Sequence, residues 1–236
     1  MTGTIVLFSE DFQAYQAGSA LGGQGGWVGT GASILVGHSS GLNSLVMDGQ
    51  QATGTSFGYV THSLLQPLSA ADTITLSFDA YAPSPSTVTH NSGFYLGDFS
   101  TGVGWFINGG VPGWTFDARG ITGNAGSDTV GFQSISGGYA LQVPLKVVID
   151  GPAHQVYGIY DFGSGPQQTT HYSVTAQEIQ GIDSVLGFAD FRNGRLGIQV
   201  DNIMVTAVPE PGTVLAGALA LAFTVLPLVK RASRQR

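Results

Sequence analysis

Residues 72–82 read DTITLSFDAYA, and the alternation in this stretch decides the fold. Ile74, Leu76, Phe78 and Ala80 fall on one side of an extended chain, and Thr73, Thr75, Ser77 and Asp79 on the other. A period of two sustained this long marks an antiparallel strand with one face in a core and one in water. Pro83-Ser84-Pro85-Ser86 stops it, because two prolines so close together lack the N–H groups a hydrogen-bonded ladder needs.

The same pattern runs outward in both directions. Upstream, extended segments are predicted at residues 4–8, 33–36, 44–48 and 58–63. Downstream they fall at 93–99, 103–108, 113–118, 129–134, 139–150, 155–162, 184–191 and 195–206. Segments 103–108 and 113–118 read as a hairpin around Gly109-Gly110-Val111-Pro112, and 139–150 with 155–162 as another turning at Gly151-Pro152. One short helix is predicted over 175–180, opened by Thr175 with Glu178 three residues on, the capping-box spacing. In the last strand the apolar phase slips from Leu196, Ile198 and Val200 to Ile203 and Val205, which predicts a bulge at Asp201 and Asn202. About a dozen short strands without interleaved helices define an all-β fold, a two-sheet antiparallel sandwich of jelly-roll form.

Composition agrees. The 236 residues include 36 Gly, and only 10% are charged, which favours short strands joined by tight turns. A hydrophobic content of 42% is too high for a disordered chain. With no cysteine, disulfide staples, thiol catalysis and thiolate zinc sites are excluded together. Residues 1–229 hold four Lys/Arg against fifteen Asp/Glu, a formal −11, so nucleic acid and anionic membrane surfaces are poor partners.

The C-terminus has a different character. Residues 207–236 read AVPEPGTVLAGALALAFTVLPLVKRASRQR. Pro209, Glu210 and Pro211 form a stiff hinge; residues 214–229 carry no charge; Lys230, Arg231, Arg234 and Arg236 close the chain. Sixteen helical residues span roughly 24 Å at ~1.5 Å each, against a hydrocarbon core of ~30 Å. Such a helix crosses with local thinning, and the terminal cations stay on the cytoplasmic side. The division predicted is therefore a sandwich over 1–206 and a tail over 207–236 with a single transmembrane helix at 214–229.

These three features in this order resemble the PEP-CTERM sorting domain of Gram-negative bacteria. The resemblance covers the last thirty residues or so and implies passage to the inner membrane and recognition by an exosortase. Processing near Pro209-Glu210-Pro211 would then release the body to the cell envelope or exterior, where such proteins accompany exopolysaccharide. Family members carry an N-terminal leader, whereas this chain opens MTGTIVLFSEDF with no basic region; the expected leader lies upstream of Met1.

A second resemblance lies in the body. Residues 10–27, EDFQAYQAGSALGGQGGW, and the closing Val200-Asp201-Asn202-Ile203-Met204-Val205 are similar to the first and last strands of concanavalin-like lectin/glucanase sandwiches. The resemblance implies carbohydrate binding. It also implies a structural calcium ion between carboxylates of the first and last strands, which here are Glu10, Asp11 and Asp201. Glycoside hydrolysis by such folds needs paired carboxylates, and no two acidic residues stand two apart on one strand face, so hydrolysis is the rival reading and a purely structural matrix protein the other.

Gly37-His38-Ser39-Ser40-Gly41 matches the nucleophile-elbow pattern, but with no parallel strand–helix context it reads as a turn. His38, His62, His90, His154 and His171 stand singly, without zinc-ligand spacing. Trp105 and Trp114 face the same side of the predicted hairpin, with Phe106 and Asp117 on the other. They are candidates for stacking on a sugar ring if exposed and ordinary core if not. The reading as a whole is an exported, non-enzymatic sandwich protein that binds polysaccharide.

Overall fold

A computed structural model describes residues 3–30, 34–39, 42–48, 57–81, 91–107, 113–122, 126–131, 143–190 and 196–210. In chain order its strands are β1 (Ile5–Glu10), β2 (Val28–Thr30), β3 (Ile34–Ser39), β4 (Leu42–Asp48), β5 (Phe57–Ser63), β6 (Asp72–Tyr81), β7 (Ser92–Leu96), β8 (Val103–Ile107) and β9 (Gly113–Asp117). They continue with β10 (Ser127–Gly131), β11 (Val143–Asp150), β12 (Gln155–Tyr160), β13 (Gln167–Gln168), β14 (Tyr172–Ser173), β15 (Ser184–Asp190) and β16 (Leu196–Pro209). Two short helices interrupt them, α1 (Arg119–Thr122) and α2 (Ala176–Gln180).

The strands form two antiparallel sheets. One runs β13-β12-β11-β6-β16-β4-β3, with β1 added on β16 and β14 on β12; the other runs β10-β9-β8-β7-β15-β5-β2. The strand β6 is central to the first sheet, and its burial alternates residue by residue. Ile74, Leu76, Phe78 and Ala80 face the second sheet, whose Phe94 meets Phe78 edge to face at 5.4 Å. Thr175 caps α2 through the capping box its spacing predicts.

The bulge falls where the apolar phase slips. Pairing of β16 with β6 breaks between Asp201 and Met204, and Asn202 takes φ 51°. The extra residue returns Ile203, Val205 and Ala207 to the core. The final strand also runs beyond the predicted limit at Thr206: Ala207, Val208 and Pro209 pair with Ile74, Thr73 and Asp72. A proline is tolerated here because it ends the ladder. Pro211, the apolar run 214–229 and the cations 230–236 lie outside the described residues. Among the described residues no helix is long and apolar enough to cross a membrane.

Two site expectations are corrected by burial. Trp105 and Trp114 are 0% and 1% exposed, so neither offers a face to a sugar from solvent. Trp105 is the peg between the sheets: its indole Nε1 donates to the Lys146 carbonyl of the opposite sheet at 2.8 Å, and its ring meets Phe116 at 5.4 Å and Tyr160 at 6.0 Å. Room for it exists because residue 158 has no side chain; a Cβ there would sit 2.4 Å from Trp105 Cζ2. Large aromatics on the inner phase of two facing sheets are the cheapest way to fill the space between them.

Candidate functional site

Glu10, on β1, already accepts three donors: the Phe12 N–H at 2.8 Å, the Tyr15 hydroxyl at 2.7 Å and the Trp27 Nε1–H at 3.3 Å. Glu10 therefore serves to pin the Gly-rich segment that follows it. Burial, and then the hydrogen bond to Glu10, push the Tyr15 hydroxyl up to about 12. Asp11 accepts from the Gln13 N–H in a local turn. Asp201 is nearly buried and accepts from the Asn202 N–H. Its carboxyl is raised above the usual range by burial, and further by the charges of Asp79, Asp11 and Glu10, although the Asn202 N–H pulls the other way. Among the described residues no group of three or more His, Asp or Glu side chains could hold a metal ion.

A raised carboxyl makes the folded state the tighter proton binder, so Asp201 costs stability as pH rises through and above that window. Asp201→Asn, which keeps the acceptor for Asn202 and removes the charge, is expected to raise the melting temperature at neutral pH. The gain should vanish in strong acid, where Asp201 is protonated in both states; melting curves at both pH values check it.

A different region combines aromatic and charged groups: the outer side of the seven-stranded sheet, buried along its middle and exposed at Phe99 and Arg119. Alternation that puts Phe94, Leu96, Trp105, Phe116 and Val185 inside puts their neighbours outside. Two lateral rows result. Tyr59 pairs with Phe188, Phe188 with Gly93, Gly93 with Phe106 and Phe106 with Thr115. Beside it, Leu186 pairs with Tyr95, Tyr95 with Gly104 and Gly104 with Asp117. Tyr95, Phe106, Leu186 and Phe188 form their own apolar cluster, with Tyr59 packed against it.

Gly104 is what lets the second row close. A Cβ there would stand 2.7 Å from Tyr95 Cδ2, so only glycine leaves the Tyr95 ring room to reach across β8. The Tyr95 hydroxyl donates to Asp117 Oδ2 at 3.0 Å. Arg119 closes on the same carboxylate as a fork, Nε to Oδ1 and a terminal nitrogen to Oδ2, both at 2.8 Å, while its backbone N–H donates to Oδ1. Burial pushes the Asp117 carboxyl up, but the Arg119 hydrogen bonds and charge, with the Tyr95 hydroxyl, outweigh it and hold Asp117 below the usual carboxylate range. Tyr95 is raised well above its ordinary value, by burial first and then by Asp117, and stays a donor. The Asp117 carboxylate is buried, whereas the Arg119 side chain is 53% exposed.

The aromatic end of the face is finished by Phe99, in the turn after β7. Asp98 Oδ1 accepts from both the backbone N–H and the hydroxyl of Ser100 and of Thr101, at 2.7 to 2.9 Å. That turn fixes Phe99 edge-on to Phe188 at 4.9 Å and to Tyr59 at 6.5 Å, with 47% of it exposed. From one side to the other the face thus offers aromatic rings (Tyr59, Phe99) and then a buried carboxylate with a half-exposed guanidinium (Asp117, Arg119). Sequence alternation had put Phe106 and Asp117 on this side; nothing in the sequence singled out Phe99 or Tyr59, which meet only through pairing of distant strands.

Ser39 ends β3 in an antiparallel pair with β4, Ser39 opposite Leu42, so the G-x-S-x-G match has no strand–helix elbow.

This all-antiparallel, two-sheet arrangement is that of the legume-lectin-like sandwiches of concanavalin type. In particular, the chain is similar to lectin II from Ulex europaeus, with 13% identity and a TM-score of 0.52 over 85% of this chain and 98% of that one. It is likewise similar to arcelin-5, a lectin-like defense protein from Phaseolus vulgaris (10%, 0.55, 88% and 99%) and to the metal-free form of lectin I-B4 from Griffonia simplicifolia (12%, 0.55, 85% and 99%). Identities this low establish a common fold. No protein-family model and no curated protein sequence matches the chain.

Proposed function

We propose that this chain is an exported, non-enzymatic polysaccharide-binding protein of a Gram-negative cell envelope or extracellular matrix. The observation that carries the binding is the outer face of the seven-stranded sheet, where Phe99 and Tyr59 offer ring surface at one end and the Arg119–Asp117 pair stands at the other. Aromatic faces take the C–H side of a pyranose, and the guanidinium donates to hydroxyl oxygens. The lectin fold supports this reading: similar chains were solved with galactose and with the methyl glycoside of α-L-fucose. Binding without turnover suits a face whose one buried carboxylate is committed to Arg119 and Tyr95.

Delivery rests on the tail. Pro209-Glu210-Pro211, the uncharged run and the cationic end take the chain to the inner membrane, and an exosortase removes the tail. The body then joins the polysaccharide outside.

One experiment tests both halves. The full chain, given a leader and produced in a Gram-negative host with an exosortase, is expected outside the cells without its tail. The recovered protein should bind neutral glycans on an array and release no reducing ends. Phe99→Ala should weaken binding about tenfold, the loss of one aromatic contact of ~1.4 kcal/mol. Undiminished binding by Phe99→Ala would remove this face from the reading, and turnover would replace it with a hydrolase.

A further inference from the structure

The opposite side of the sandwich has a second aromatic surface. On the outer face of the nine-stranded sheet, the His171 ring lies flat on that of Tyr157, centroids 4.0 Å apart and planes 3° from parallel. His171 Nδ1 is 3.0 Å from Gln155 Oε1, and Nε2 is 3.1 Å from Gln168 Oε1. Tyr157 points outward because its neighbours point in: Val156 is fully buried, and Gly158 lies against Trp105 and Phe116. Gln155 and Tyr157 come from β12, Gln168 from β13, and His171 from the link to β14, so three segments fix one ring.

That ring is exposed. Tyr157 backs one of its faces and the two glutamines hold both of its edges, which leaves the second face as a preset plane. A group already held in place loses little freedom when a ligand settles on it. Beside the plane stand the side-chain amides of the two glutamines, neutral polar groups with hydrogen-bonding capacity beyond what one imidazole can take up. A flat ring framed by neutral amides matches a hydroxylated sugar ring better than an anion, which the formal −11 over residues 1–229 repels in any case.

We propose that His171 on Tyr157 is a second saccharide platform, so that one molecule holds two neutral polysaccharide chains, one on each outer face. This rests on the polysaccharide-binding reading above and gives that reading a mechanical role, the cross-linking of a matrix.

The test is capture between two chains. Laminarin, dextran and galactomannan are each immobilised through biotin, loaded with the full chain, and offered the same polysaccharide carrying a fluorophore. Wild type is expected to capture the fluorescent chain on at least one of the three. His171→Ala should lower capture about tenfold while loading onto the immobilised chain changes less than about twofold. Gln168→Ala, at an exposed edge position, should lower capture in the same direction by freeing the ring, and it serves if His171→Ala melts early. Capture unchanged in both variants overturns the second platform and leaves the first reading standing. Failure of wild type to load on any of the three overturns both.

Discussion

Trp105→Ala is expected to cost about 3–5 kcal/mol of unfolding free energy, the range for removing a fully buried large aromatic. Three losses combine. The ring leaves a cavity between the sheets, its edge contacts with Phe116 and Tyr160 disappear, and the Lys146 carbonyl loses the indole donor. A sandwich of this size would stay folded only marginally, since total stability is of order 5–15 kcal/mol. Urea titration should show a lower midpoint with an unchanged slope.

The partner position makes this sharper. Gly158→Ala on its own should destabilise, because a Cβ at 2.4 Å from Trp105 Cζ2 and 2.8 Å from Phe116 Cδ2 forces both rings to move. Placed in the Trp105→Ala background, the same methyl is relieved of the indole and meets only Phe116, so the two changes together should cost less than their sum by about 1 kcal/mol. Strict additivity would mean that the indole does not rest on residue 158 in solution.

Asp117→Asn is the second large effect, expected at about 1–3 kcal/mol at neutral pH. The figure is kept below that of a fully buried ion pair because Arg119 is half exposed and water screens its charge. The amide cannot accept the Arg119 fork at both positions, and it turns an NH2 toward either the guanidinium or the Tyr95 hydroxyl. The pH dependence has a definite sign. Asp117 is held below its ordinary value in the folded state, so its contribution is fully present above the ordinary carboxylate range and is lost as pH falls through the lowered value. The gap in melting temperature between wild type and Asp117→Asn should therefore be widest near neutrality and close in strong acid. A gap that widened on acidification would place the proton elsewhere.

How much of this was legible in the sequence follows from range. The two-sheet sandwich was, because alternation in residues 72–82 and the phase slip at Asp201 and Asn202 are local patterns with local causes. The capping box at Thr175 was legible for the same reason. The site was only half legible. Inside and outside could be assigned to Trp105 and Asp117 by parity, but parity does not say whether an inner residue is reached by solvent, and Trp105 and Trp114 proved to be core. Phe99, Tyr59 and Phe188 come from a turn and two strands far apart in the chain, and their meeting is a property of strand order. His171 looked like one of five scattered histidines until β12, β13 and β14 brought Tyr157, Gln155 and Gln168 around it. Glu10 and Asp201 looked like a shared ion site by analogy with first and last strands. The hydrogen bonds that Glu10 accepts from Tyr15 and Trp27 could not be read from spacing.

The last strand has a consequence for load. β16 is bonded to β6 along most of its length and to β1 near its end, where Ile5 stands opposite Ala207. A tug on residue 210 acts along the strand axis and strains those rungs together in shear, where a strand leaving sideways would unzip one rung at a time. Such geometry raises the barrier to forced unfolding, the quantity that decides survival under tension. The sheet that buries Ile74 and Leu76 is thus also the anchor by which the molecule resists being torn open.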